Sequence, residues 1–155
     1  MRKRTTEERL AEIERRYGQQ KPERTLRLNA IAVKRVAVLE RYFELHYGRS
    51  LPDDDAGRED LVILLNHIAQ NPIDPQGKMR RAIHTWAWWM DHDERQELVE
   101  RIAAKPRWYT ASKLGKLLRL TEVEHALIGA ETVWPFDATA EDMNAKSKQN
   151  DREYQ

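Results

Sequence analysis

The chain has 155 residues, 40% of them apolar and 34% charged, with a net charge of +1. That length and apolar content suit one domain with a real core. There is no cysteine, which excludes disulfides, thiolate metal sites, iron–sulfur clusters and cysteine nucleophiles and fits a reducing cytoplasm. No apolar run approaches the roughly 18 residues of a membrane span. The opening MRKRTTEERL is basic with no apolar segment behind it, so it does not read as a secretory signal. We expect a cytoplasmic chain without membrane contact.

The small net charge hides an asymmetry. Residues 1–50 carry 13 Lys/Arg against 7 Asp/Glu, and residues 51–104 carry 6 against 11. Residues 105–125 are basic again, 5 against 2, and residues 126–155 are acidic, 3 against 6. Two basic blocks brought to one side would face a polyanion. Mixed charge on the wet faces of helices is the plainer explanation.

Taken in order, almost every segment predicts helix. Thr5 with Glu8 is a capping-box pattern opening a helix to about Tyr17, with a narrow stripe of Leu10, Ile13 and Tyr17, and Gly18 as its stop. A longer helix runs from Pro22 or Leu26 to Tyr47, with Ile31, Val36, Leu39, Phe43 and Tyr47 at helical spacing. Asp53, Asp54 and Asp55 offer N-caps for LVILLNHIAQ, which is apolar on nearly all sides and should be the most buried helix. NPIDPQG is a loop. KMRRAIHTWAWWM predicts a helix with Met79, Ile83, Trp86 and Met90 on one face. Asp91 with Glu94 caps a further helix through Ala104, where Pro106 closes it. At the far end, Thr139 and Asp142 are signals for a last, poorly anchored helix.

TASKLGKLLRLTEVEHALIG, residues 110–129, reads as a helix-turn-helix-like pair. Thr110 caps the first helix, whose apolar seam is Ala111, Leu114 and Leu118 with Leu117 beside them. Ser112, Lys113, Lys116 and Arg119 form the other face, as expected of a helix lying across a phosphate backbone. Arg119-Leu120 makes the turn. Thr121 and Glu124 cap the second helix, which is expected to bury Val123 and Leu127 or Ile128 and to expose Glu122, Glu124 and His125. Carboxylates at the start of a groove-entering helix oppose phosphate, and Glu122 is the real conflict, because Glu124 is occupied by the cap. A plain hairpin closing the core is the alternative to DNA reading.

Of five tryptophans, Trp86 falls on a core stripe, whereas Trp88 cannot share its face. Trp88 either covers a second helix or lies at the surface, where it would anchor a partner protein. Arg107, Trp108 and Tyr109 lead into the helical pair and could touch the DNA backbone, with Trp108 expected as a core plug. His46, His67, His84, His92 and His125 give no metal spacing, and Asp91-His92-Asp93 and Asp53–Asp55 read as caps. No phosphate loop, dinucleotide motif or serine elbow is present, so neither enzyme activity nor a cofactor is expected.

LPDDDAGRED running into an apolar helix, and TASKLGKLLRLTEVEHALIGAETVWPFDATAED, resemble a set of uncharacterised bacterial proteins often found near plasmid and integrative-element genes. The resemblance covers about residues 51–150 and implies a pattern like LG-x-x-LGLT-x-x-E-R, then a threonine–isoleucine segment, an aspartate and a basic tail. This chain departs from it. Arg119 stands where a turn glycine is expected, Trp134-Pro135 replaces the usual segment before Asp137, and Lys146, Lys148 and Arg152 face Glu141, Asp142, Asp151 and Glu153. The resemblance implies a mobile-element setting and no catalytic residues.

These readings converge on an all-α chain, a compact bundle of about six to seven helices. Residues 1–20 form a basic N-terminal helix or arm, 21–138 the core domain with the pair at 110–129, and 139–155 a polar tail. The leading expectation is a non-enzymatic DNA-associated accessory or regulatory protein of a mobile element. Lys113, Lys116 and Arg119 would hold phosphates, Thr121 and His125 would approach bases, Arg107 would touch the backbone, and the arm of Arg2, Lys3 and Arg4 would add charge. A reader of a palindrome would be a dimer. The alternative is a helical module that inhibits or regulates a regulatory or defence protein through Trp88.

Overall fold

The computed structural model describes residues 5–17 and 22–136, with side chains for residues 5–12 and 29–136. Among the described residues the chain is all-helical, in the order α1 (Thr6–Tyr17), α2 (Pro22–Tyr47), α3 (Asp55–Ala69), α4 (Pro75–Trp86), α5 (His92–Ala104), α6 (Ala111–Leu118) and α7 (Glu122–Ile128). No described helix is long and apolar enough to cross a membrane. The helix signals at Thr139 and Asp142 lie outside the described residues.

Local chemistry sets most of the boundaries. Thr5 and Glu8 close a reciprocal capping box, with Thr5 N donating to Glu8 Oε2 at 3.0 Å and Glu8 N to Thr5 Oγ1 at 3.3 Å. Of the three aspartates, Asp54 is the N-cap of α3, taking the Gly57 amide at 2.7 Å. Asp53 instead pairs with Arg58. Asp91 caps α5 through the Glu94 amide at 2.8 Å, and Asp74 caps α4 with Pro75 in the first turn.

α3 lies at the centre and contacts α2, α4 and α5, while α4 also packs on α5. Leu61, Leu64 and Leu65 are wholly buried, as the unbroken apolar run predicts. Leu39 and Phe43 of α2, Met79, Ile83 and Trp86 of α4, and Leu98, Val99 and Ile102 of α5 complete the bundle core. Phe43 meets Trp86 edge to face at 5.4 Å between centroids, a favoured aromatic geometry.

One predicted helix is too long. α4 stops at Trp86 and does not reach Met90. The freed backbone finds other partners: Trp86 O accepts from Leu51 N at 2.7 Å, and Leu51 O accepts from the Trp89 indole at 2.8 Å. Arg95 ties down the turn by donating to Met90 O and Trp88 O. The loop before α3 thus terminates α4, which helical spacing alone does not reveal.

The C-terminal pair joins the bundle through α2, and α7 contacts that helix directly. Residues 130–136 then fold back along α6. Trp134 N donates to Ala111 O at 3.2 Å and Phe136 N to Leu120 O at 2.8 Å. Gly115 is the residue that permits this approach, because a Cβ there would lie 1.7 Å from Trp134 O. We expect Gly115→Ala to force the return segment outward and lower stability by about 1–3 kcal/mol. A urea-unfolding midpoint checks this.

Candidate nucleic-acid interface

The helical pair is assembled from short capped units. The Thr110 hydroxyl accepts from Lys113 N at 3.1 Å and starts α6. Arg119 ends it in the left-handed conformation, φ 49 and ψ 44, with its amide on Gly115 O and Lys116 O. This is the position where the resemblance expects glycine, and a side chain there is strained. The Thr121 hydroxyl accepts from Glu124 N at 3.2 Å and starts α7, and Gly129 closes that helix at φ 64.

The first helix lies as its sequence predicts. Leu114 and Leu118 are buried, and Lys113, Lys116 and Arg119 are exposed. Among the described residues these three cations make no side-chain hydrogen bond or ion pair. Arg107 is also exposed and sits 5.7 Å over the Tyr109 ring. Lys113 and Arg107 line a cleft of about 410 Å³ together with Arg58, Glu59 and Asp60 of α3, so the basic surface borders an edge of mixed charge.

The second helix is rotated from its expected setting. Val123 and Leu127 are exposed, at 71% and 70%, and only Ile128 of the apolar residues is buried. Glu124 and His125 turn inward instead. Glu124 Oε2 meets His46 Nε2 of α2 at 2.6 Å, while its Oε1 accepts from the Thr121 hydroxyl. The cap is therefore not fully reciprocal, since the carboxylate takes the hydroxyl and not the Thr121 amide. His125 Nε2 lies 2.8 Å from Val133 O and donates to it. Thr121 and His125 are thus engaged within the fold and do not project as base readers. The outward residues of α7 are Glu122, Val123, Ala126 and Leu127. The conflict over carboxylates stands at Glu122, which is exposed, while Glu124 faces α2.

Trp108 is not the expected core plug. It is 38% exposed, with the Arg35 guanidinium 5.0 Å from its ring. The plug is Tyr109, which is buried and stacks on His67 at 5.5 Å. Trp88 is 64% exposed, in the turn after α4. Arg2, Lys3 and Arg4 lie outside the described residues. No group of three or more His, Asp or Glu among the described residues is arranged to hold a metal ion.

Sequence reasoning missed the residues that position the pair. Arg35 of α2 is 3% exposed. Its Nη1 donates to Tyr109 O at 2.7 Å, and its Nε and Nη2 to Thr132 O at 3.2 and 3.0 Å. Burial lowers its pKa to about 10, which still leaves it charged at neutral pH. Arg41 Nε donates to Ile128 O and the Tyr42 hydroxyl to Leu118 O, both at 2.7 Å. These satisfy carbonyls at the C-terminal ends of α7 and α6, which a helix cannot pair internally. One signal was available: Arg35 precedes Leu39 by four residues and Tyr42 by seven, which sets it on the buried face of α2.

Arg35→Met keeps the bulk and removes three donors, leaving Tyr109 O and Thr132 O unpaired. We expect a loss of about 2–3 kcal/mol. The local character of the change should appear as faster amide hydrogen exchange in residues 109–133 than in α3. No family model matches this chain, and neither the curated proteins nor the solved structures offer a match.

Proposed function

We propose that the chain is a non-enzymatic DNA-associated accessory or regulatory protein of a mobile element, and that it holds duplex DNA by its phosphates. The observation that carries this reading is the set of exposed cations Arg107, Lys113, Lys116 and Arg119, on and beside an α6 whose Leu114 and Leu118 are buried. Cations fixed on a rigid helix make phosphate contacts that position a protein on a duplex without reading sequence. α7 offers Glu122, Val123, Ala126 and Leu127 outward, so base reading is not assigned to it. The mobile-element setting rests on the resemblance of residues 51–150.

Binding of mixed-sequence duplex, titrated at low and moderate salt, tests the reading. Lys113→Ala with Lys116→Ala should weaken binding and reduce the salt slope by about 1.8, the release of counterions from two phosphates. Equal affinity and slope in the double variant would remove α6 from the interface, and no binding at low salt would remove DNA.

A second reading is favoured by the exposed Trp88. Large aromatics of this exposure mark protein-binding hot spots, and Asp91 and Asp93, both exposed, follow it in the chain. In that case the protein is a helical module that regulates or inhibits a protein partner. Trp88→Ala should abolish partner capture and leave the melting temperature unchanged, because the Trp88 ring contributes nothing to the core. A lowered melting temperature would return Trp88 to a structural role.

A further inference from the structure

A cleft between α2, α3 and α4 takes part in neither reading. Its volume is about 430 Å³, within the roughly 300–1,000 Å³ of small-molecule sites. Val33 and Val36 of α2, Ile68 of α3 and Trp86 of α4 give it apolar walls. Four charged side chains line it, Glu40 and Glu44 from α2 and Lys78 and Arg81 from α4.

The two sides are unequally satisfied. Lys78 Nζ donates to Ile73 O at 2.7 Å, and Arg81 lies 3.9 Å from Asp74, so both turn toward the start of α4. Among the described residues Glu40 and Glu44, one turn apart, have neither a counter-ion nor a hydrogen bond. Burial, and then the neighbouring Glu44, raise the pKa of Glu40. A cation beside the pair would oppose both effects by favouring the charged carboxylates.

His67, 2% exposed, also lines the cleft. Its Nδ1 lies 2.8 Å from Ile63 O and must donate to that carbonyl, which leaves Nε2 as a bare acceptor. Nε2 is buried and has no partner. Burial pushes the imidazole pKa down to about 4, so the ring is neutral at pH 7 and cannot act as a donor at Nε2.

We propose that this cleft binds a small organic ammonium, its charge between Glu40 and Glu44 and its apolar body against Val33, Val36, Ile68 and Trp86. His67 lines the same cleft, but its Nε2 is closed to solvent, so the Glu40–Glu44 pair and the apolar wall carry the recognition. The site is independent of DNA binding by α6.

The test uses the intact ¹⁵N-labelled chain titrated with 2-phenylethylammonium, and in parallel with 2-phenylacetate and 2-phenylethanol, which carry the same ring. The Trp86 indole N–H and the amides of residues 40–44 should shift with the ammonium and not with the carboxylate. The neutral alcohol should bind weakly. Glu40→Gln with Glu44→Gln, both at exposed positions, should weaken ammonium binding about tenfold or more while the melting temperature stays the same. Equal binding of the three probes overturns the proposal, as does unchanged affinity in the double variant. Absence of any shift at about 10 mM ammonium, beyond even weak affinity, also overturns it.

Discussion

The arrangement of the C-terminal third depends on a set of donors along one helix. Arg35, Arg41 and Tyr42 of α2 donate to Tyr109 O, Thr132 O, Ile128 O and Leu118 O. Each acceptor is a carbonyl at a helix end or in a connecting loop, where the backbone has no internal partner. Short helices such as α6 and α7 are marginal on their own. They persist here because their orphan carbonyls and their apolar seam are both taken up by the rest of the fold.

That anchoring decides which surface the helical pair shows. His46 draws Glu124 inward and Val133 O draws His125 inward, so α7 turns Val123 and Leu127 to solvent. The outward charge is left to α6 and its flanks, where Lys113, Lys116 and Arg119 surround a buried leucine seam. Gly115 lets the 130–136 segment lie along α6. The pair is therefore held from both sides, by α2 and by its own return strand of chain, and its basic face is presented on a fixed frame.

His67 and Tyr109 connect this region to the bundle. Tyr109 stacks on His67 and receives the Asn66 amide at 3.3 Å, while Asn66 Oδ1 accepts the Arg107 N–H at 2.8 Å. The last turns of α3 thus set the lead-in to α6 on one side and line the cleft with Glu40 and Glu44 on the other.

Much of the local structure was legible in the residues alone. The caps at Thr5, Asp54, Asp91, Thr110 and Thr121 act over three residues, and the buried run of α3 needs only apolar continuity. These signals fixed the helical class, the order of elements and the basic face of α6. What they could not supply was the partner of each unpaired group. α4 ends early because Leu51 takes the Trp86 carbonyl, Trp108 lies outward because Tyr109 fills the core, and α7 rotates because His46 and Val133 O claim its polar side chains. The sequence by itself determined periodicity and capping, which are short-range properties of the backbone. Only the tertiary structure decided the rotation of α7, the partners of Arg35 and the cleft at Glu40 and Glu44, because each depends on groups far apart in the chain that meet only when the bundle is formed.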